Sequence, residues 1–96
     1  MTTLSFDTHK AIEICRRNDV AMMGVFGSEV RGEATERSDI DLLVRFDKPK
    51  SLLSMVALER EMTEVLGIKV DLLTEASISP YLRERIIGEM QVIYEA

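Results

Sequence analysis

The chain has one cysteine, Cys15, one histidine, His9, and no surplus of positive charge, with 12 Lys and Arg against 17 Asp and Glu over 96 residues. A lone cysteine excludes an internal disulfide. The expectation is a reducing, cytoplasmic setting, with Cys15 as a small core residue rather than a nucleophile. His9 lies near a predicted helix start with no second ligand at a matching spacing, so it reads as a surface residue. A net charge of −5, spread over interspersed acids and bases, argues against a general grip on nucleic-acid phosphates. Long apolar runs are also missing: Val20–Phe26 and Leu52–Leu58, the latter interrupted by Ser54, fall well short of the roughly 20 residues of a membrane span. The stretch from Met1 to Asp7 lacks a basic segment followed by an apolar core, so no signal peptide is expected.

What remains is 46% hydrophobic and 30% charged, which suits one domain over residues 1–96 and leaves no room for a second. Asp7 or Thr8 can cap a first helix running to about Asn18, with Ala11, Ile12 and Cys15 on its apolar side. Val20 to Phe26 reads as a short buried strand, ended by Gly27, after which Ser28 can cap a helical turn. Glu33 to Ser38 has no apolar periodicity and reads as an exposed loop. Asp39 to Phe46 follows as a second strand in which Asp39, Asp41 and Leu43 share one face. After a turn at Asp47–Lys50, Ser51 caps a helix with Leu52, Met55, Leu58, Met62, Val65 and Leu66 at helical spacing, closed by Gly67. Ile68 to Thr74 is a third strand, with Lys69, Asp71 and Leu73 on one face. Ser79-Pro80 opens a short helix to about Ile87, broken by Gly88, and Met90 to Tyr94 supplies a fourth, edge strand. This order predicts an α+β fold, an α/β sandwich with one sheet of about four strands.

Chemistry concentrates in Gly27-Ser28-Glu29-Val30-Arg31-Gly32 and in Ser38-Asp39-Ile40-Asp41-Leu42-Leu43-Val44. Glycine lets backbone approach a phosphate closely, and the serine hydroxyl and following amides can donate to its oxygens. Asp39 and Asp41, two apart on a strand, bring two carboxylates within reach of a shared divalent cation such as magnesium. Asp71 lies in another apolar strand, where an unpaired carboxylate is costly, so a metal, a cation or a catalytic partner is expected beside it. The plainer alternatives are solvated aspartates and a salt bridge from Asp71 to Arg31 or Lys69.

Together these residues resemble the DNA polymerase beta-type nucleotidyltransferase superfamily. The forms Gly-Ser-x-x-Arg-Gly and Ser-Asp-Ile-Asp-Leu are similar, more narrowly, to its minimal nucleotidyltransferase group. The resemblance implies a polymerase beta palm-like fold with a mixed sheet. It also implies that Gly27 and Ser28 hold the triphosphate, that Asp39 and Asp41 bind magnesium, and that Asp71 completes the site as second-metal ligand or proton acceptor. Arg31 matches the arginine of the family turn, either touching phosphate or bracing the loop. Glu29 departs from the pattern, because an acid beside a triphosphate repels it unless it points away.

The implied activity is Mg²⁺-dependent transfer, with two ions, of AMP from ATP to a hydroxyl. The chain's length leaves no room for an acceptor-binding domain, so a second protein is expected to complete the cleft. In the minimal group the implied partner is a HEPN-type ribonuclease toxin. It would be neutralised by complex formation and nucleotidylation of a tyrosine, with this chain as antitoxin. Two alternatives stand beside this reading: a nucleotide-binding module that neutralises its partner by contact alone, and a transferase acting on a small aminoglycoside-like molecule. Tyr81 and Tyr94 read as packing residues, and Arg83 and Arg85 as cations offsetting a helix dipole. The apolar content is compatible with a buried face in a homo- or hetero-oligomer.

Overall fold

Alternation along the central strands sorts the side chains onto two faces of a sheet. In the computed structural model, which describes residues 4–35 and 37–96, the strands are β1 (Val20–Phe26), β2 (Ile40–Phe46), β3 (Val70–Thr74) and β4 (Gln91–Glu95). Their order is β3-β2-β1-β4. β1 runs antiparallel to both β2 and β4, whereas β2 and β3 are parallel, so the sheet is mixed. The helices are α1 (Thr8–Arg17), a single turn α2 (Ser28–Arg31), α3 (Leu52–Leu66) and α4 (Pro80–Glu89), with a 3-10 turn over Glu75–Ser77 that the sequence did not suggest.

One face carries Met23 and Val25 of β1, Ile40, Leu42 and Val44 of β2, and Val70 and Leu72 of β3. They pack with Ile14 and Cys15 of α1 and Leu58 and Met62 of α3. Burying each such Leu, Ile or Met side chain contributes about 1.5–3 kcal/mol, which makes this the principal core. Ala11 and Cys15 are buried as expected, but Ile14 completes the α1 stripe in place of Ile12, which is only partly buried. Burial pushes the Cys15 thiol up to about 12, so it is not a thiolate nucleophile at neutral pH.

The other face is thinner. Met22, Phe26, Leu43 and Ile78 are buried there, with Leu73, Ile86 and Met90 packed against them. α4 lies on this side with no fully buried residue. Gly88 does not break it: the helix continues to Glu89 and closes with the Met90 N–H donating to the Ile86 carbonyl. A solvent-facing glycine costs a helix only about 1 kcal/mol, and anchoring of Met90 outweighs that. A Cβ on Gly24 would overlap the Met90 sulfur, so the glycine in mid-β1 is what lets Met90 reach the sheet.

Three further expectations are corrected in part. Tyr81 is 94% exposed and packs on nothing substantial, whereas Tyr94 is half-buried against the main core. Arg83 and Arg85 sit mid-helix because α4 extends past them, and Arg83 bridges to Glu75 at 3.3 Å, the carboxylate that also holds Arg45 at 3.0 Å. On α3, Leu52 is 80% exposed and Val65 39%, so only Met55, Leu58, Met62 and Leu66 of the predicted stripe meet the core.

Candidate active site

The acids emerge from the strand register. β2 and β3 are parallel with Asp41 directly opposite Asp71, and β1 places Phe26, the residue before Gly27, opposite Asp41. Residues paired this way project from the same side of the sheet. Asp39 lies two residues before Asp41, just ahead of the strand, and so falls on that side as well. It is the side that carries Leu43, Leu73 and α4, opposite the main core.

Gly27 joins this cluster through its backbone. Its φ of 76° and ψ of −147° lie where L side chains are strained, and a Cβ there would collide with Asp41 Oδ2. Gly27, not Ser28, is the N-cap of α2; Ser28 is its first helical residue. The cause is the turn itself: the Gly27 carbonyl accepts from the Val30 and Arg31 amides, both at 3.2 Å, so the helical turn is counted from Gly27.

Burial pushes the Asp41 carboxyl above the usual range, and the negative charges of Asp71, Asp39 and Glu89 add to the rise while Arg31 opposes it. This pattern arises where carboxylates share one site. Asp39 is turned toward Lys69, with 3.7 Å between Oδ2 and Nζ. Among the described residues no three His, Cys, Asp or Glu side chains converge closely enough to cage an ion as they stand. Asp41 and Asp71 face each other across the strand pair, and Asp39 leans toward Lys69 at the strand's entrance. The donor set nonetheless suits a hard cation. It is all carboxylate oxygen, and the repulsion that raises Asp41 is what a divalent ion would relieve.

The salt bridges considered for Asp71 go elsewhere: Lys69 pairs with Asp39, and Arg31 pairs with Glu33 and Glu89. Glu29 also points away from the acids. Glu29 is 4% exposed, and its carboxylate accepts from the Ser5 hydroxyl at 2.6 Å and the Ser5 amide at 3.0 Å, so it ties α2 to the segment before α1. It lines a cleft of about 530 Å³ with Ser5, Thr35, Ser38 and Ile68, beside the acid cluster rather than on it.

Glu89 escaped sequence reasoning. Its Oε1 accepts from the Gly27 amide at 3.1 Å and from Arg31 Nη1 at 3.1 Å. The available signal was an acid in the last turn of a helix, where the macrodipole favours a cation and an anion needs a partner.

A mixed four-stranded sheet thus carries a positive-φ glycine turn at the end of one strand and facing aspartates on the next two. A model of the nucleotidyltransferase domain family matches residues 9–93. The chain belongs to that family. It is 49% identical over 80 residues to a Methanocaldococcus jannaschii protein provisionally named a protein adenylyltransferase, covering 83% of this chain and 86% of the relative. It is 41% identical over 78 residues to the protein adenylyltransferase MntA of Thermococcus cleftensis, covering 81% and 79% of the two chains. Among solved structures, a provisionally assigned minimal nucleotidyltransferase is 37% identical with a TM-score of 0.77, covering 88% of this chain and 86% of that one. The fold also matches a chain of a Shewanella oneidensis complex, described as a tri-AMPylated HEPN toxin with MNT antitoxin. There the TM-score is 0.72 at 21% identity, with 93% of this chain and 70% of that one covered.

Proposed function

We propose that this chain is a protein adenylyltransferase that moves AMP from ATP onto a tyrosine hydroxyl of a HEPN-type toxin, and so acts as its antitoxin. The observation that carries the reading is the register of Asp41 opposite Asp71, beside a glycine turn that admits no side chain. The relatives named protein adenylyltransferase, at 49% and 41% identity, support the same donor and acceptor class. The AMPylated toxin in the Shewanella oneidensis complex supports the partner.

In this mechanism the Gly27 amide, the Ser28 hydroxyl and Arg31 hold the β- and γ-phosphates, leaving the α-phosphate over the Asp41–Asp71 pair. Asp39, Asp41 and Asp71 would hold magnesium, which when bound as two ions neutralises charge on the phosphates and favours an ionised acceptor hydroxyl. The acceptor oxygen bonds to the α-phosphorus as the bond from that phosphorus to the bridging oxygen of the β-phosphate breaks. Pyrophosphate leaves, and Asp71 accepts the hydroxyl proton.

Incubating the chain with ATP, Mg²⁺ and a HEPN-type toxin, the product of the neighbouring gene being the first to try, then weighing the toxin by mass spectrometry, tests this. An AMP-sized gain that disappears in Asp39→Asn/Asp41→Asn is expected. Full neutralisation by that double variant with no mass change on the toxin would instead establish a contact-only antitoxin.

A further inference from the structure

The donors assigned to the triphosphate are already engaged. Glu89, the last residue of α4, takes the Gly27 amide at 3.1 Å and Arg31 Nη1 at 3.1 and 3.3 Å through its two oxygens. A carboxylate bound to a backbone amide and a guanidinium makes the kind of charge-assisted contacts that a phosphate oxygen makes. Its side chain is 21% exposed and is placed by Met90, which the notch at Gly24 seats on the sheet. Its charge also reaches Asp41, adding to the repulsion there.

We propose that Glu89 is a built-in competitor for the triphosphate: it occupies the Gly27 amide and the Arg31 guanidinium in the nucleotide-free chain, and ATP binds by displacing it. The inference rests on the reading of this turn as the triphosphate seat. Glu89 and a triphosphate oxygen compete for the single Gly27 N–H, and on Arg31, whose Nε already pairs with Glu33, Glu89 occupies the Nη1 position that a phosphate oxygen would take. The exchange keeps the donors oriented and satisfied before substrate arrives, at a cost in affinity. It also links the nucleotide to α4, because the displaced side chain is that helix's tie to the glycine turn. The helix keeps a further polar tie, Arg83 to Glu75.

Calorimetric titration of the full chain with AMP-PNP and Mg²⁺ tests this in the wild type, Glu89→Gln and Glu89→Ala. Competition predicts that Glu89→Ala binds about tenfold more tightly than the wild type. Glu89→Gln, which can still accept from both donors but carries no charge, falls between them. The Gln variant tests the order by itself if the Ala variant does not fold. Affinity that is unchanged or weakened by the substitutions makes Glu89 a brace for the turn and overturns the proposal while leaving the nucleotide site standing. Absence of AMP-PNP binding in all three proteins removes the triphosphate seat, and the inference with it.

Discussion

At the scale of single residues, the site is built on two unfavourable choices. Gly27 adopts a backbone conformation that an L residue enters only with strain, and its missing Cβ leaves room for Asp41 Oδ2. Gly27→Ala is therefore expected to lower unfolding free energy by about 1–3 kcal/mol and to abolish AMP-PNP binding, checked by urea denaturation and calorimetry. Asp41 is the second choice. Its carboxyl is raised by burial and by neighbouring carboxylates, so the folded chain holds that proton to higher pH than the unfolded chain does. Stability from this group is accordingly highest below the unfolded carboxylate range. It falls as pH rises toward the raised folded value and stays lower above it. Asp41→Asn removes the penalty: at neutral pH without metal it is expected to be more stable than the wild type, while losing transfer activity. Thermal melts of both proteins across pH 3 to pH 8 on the order of one-unit steps test the sign, since wild type and variant should converge at the acidic end.

At the scale of elements, strand alternation made most of the fold readable. Asp39, Asp41 and Leu43 fall on one face and Ile40, Leu42 and Val44 on the other because the period is two, and no packing detail was needed to say so. The caps at Asp7, Ser51 and Ser79 were legible for a similar reason: each side chain accepts from amides two or three residues ahead. What could not be read were contacts between distant segments. Gly88 carries a local breaker signal that the Met90 anchor overrides. Glu29 resembles a flaw in a phosphate turn until Ser5 is seen to bind it. Glu89 lies 62 residues from Gly27, a separation no local pattern spans. The hinge of these contacts is Gly24. Gly24→Ala is expected to push Met90 from the sheet and lower unfolding free energy by about 1–3 kcal/mol, read from the urea midpoint.

At the scale of the whole molecule, the two faces of the sheet have different duties. α1 and α3 bury most of one face, and α3 also covers the free edge of β3, where Thr63 and Glu59 accept from the Val70 and Leu72 amides. The opposite face carries the acids beneath a helix held by few apolar contacts and by the ties of Glu75 and Glu89. A well-packed half thus supports a loosely covered half in which charge is concentrated, the division expected when one face provides stability and the other chemistry. The central claim is that this charged face transfers a nucleoside monophosphate. The most direct measurement offers the chain, Mg²⁺ and the proposed HEPN-type toxin either α-labelled or γ-labelled ATP and follows the label on the toxin. The account predicts label from the α-phosphate only, lost in Asp71→Asn; label from the γ-phosphate, or none from either, would contradict it.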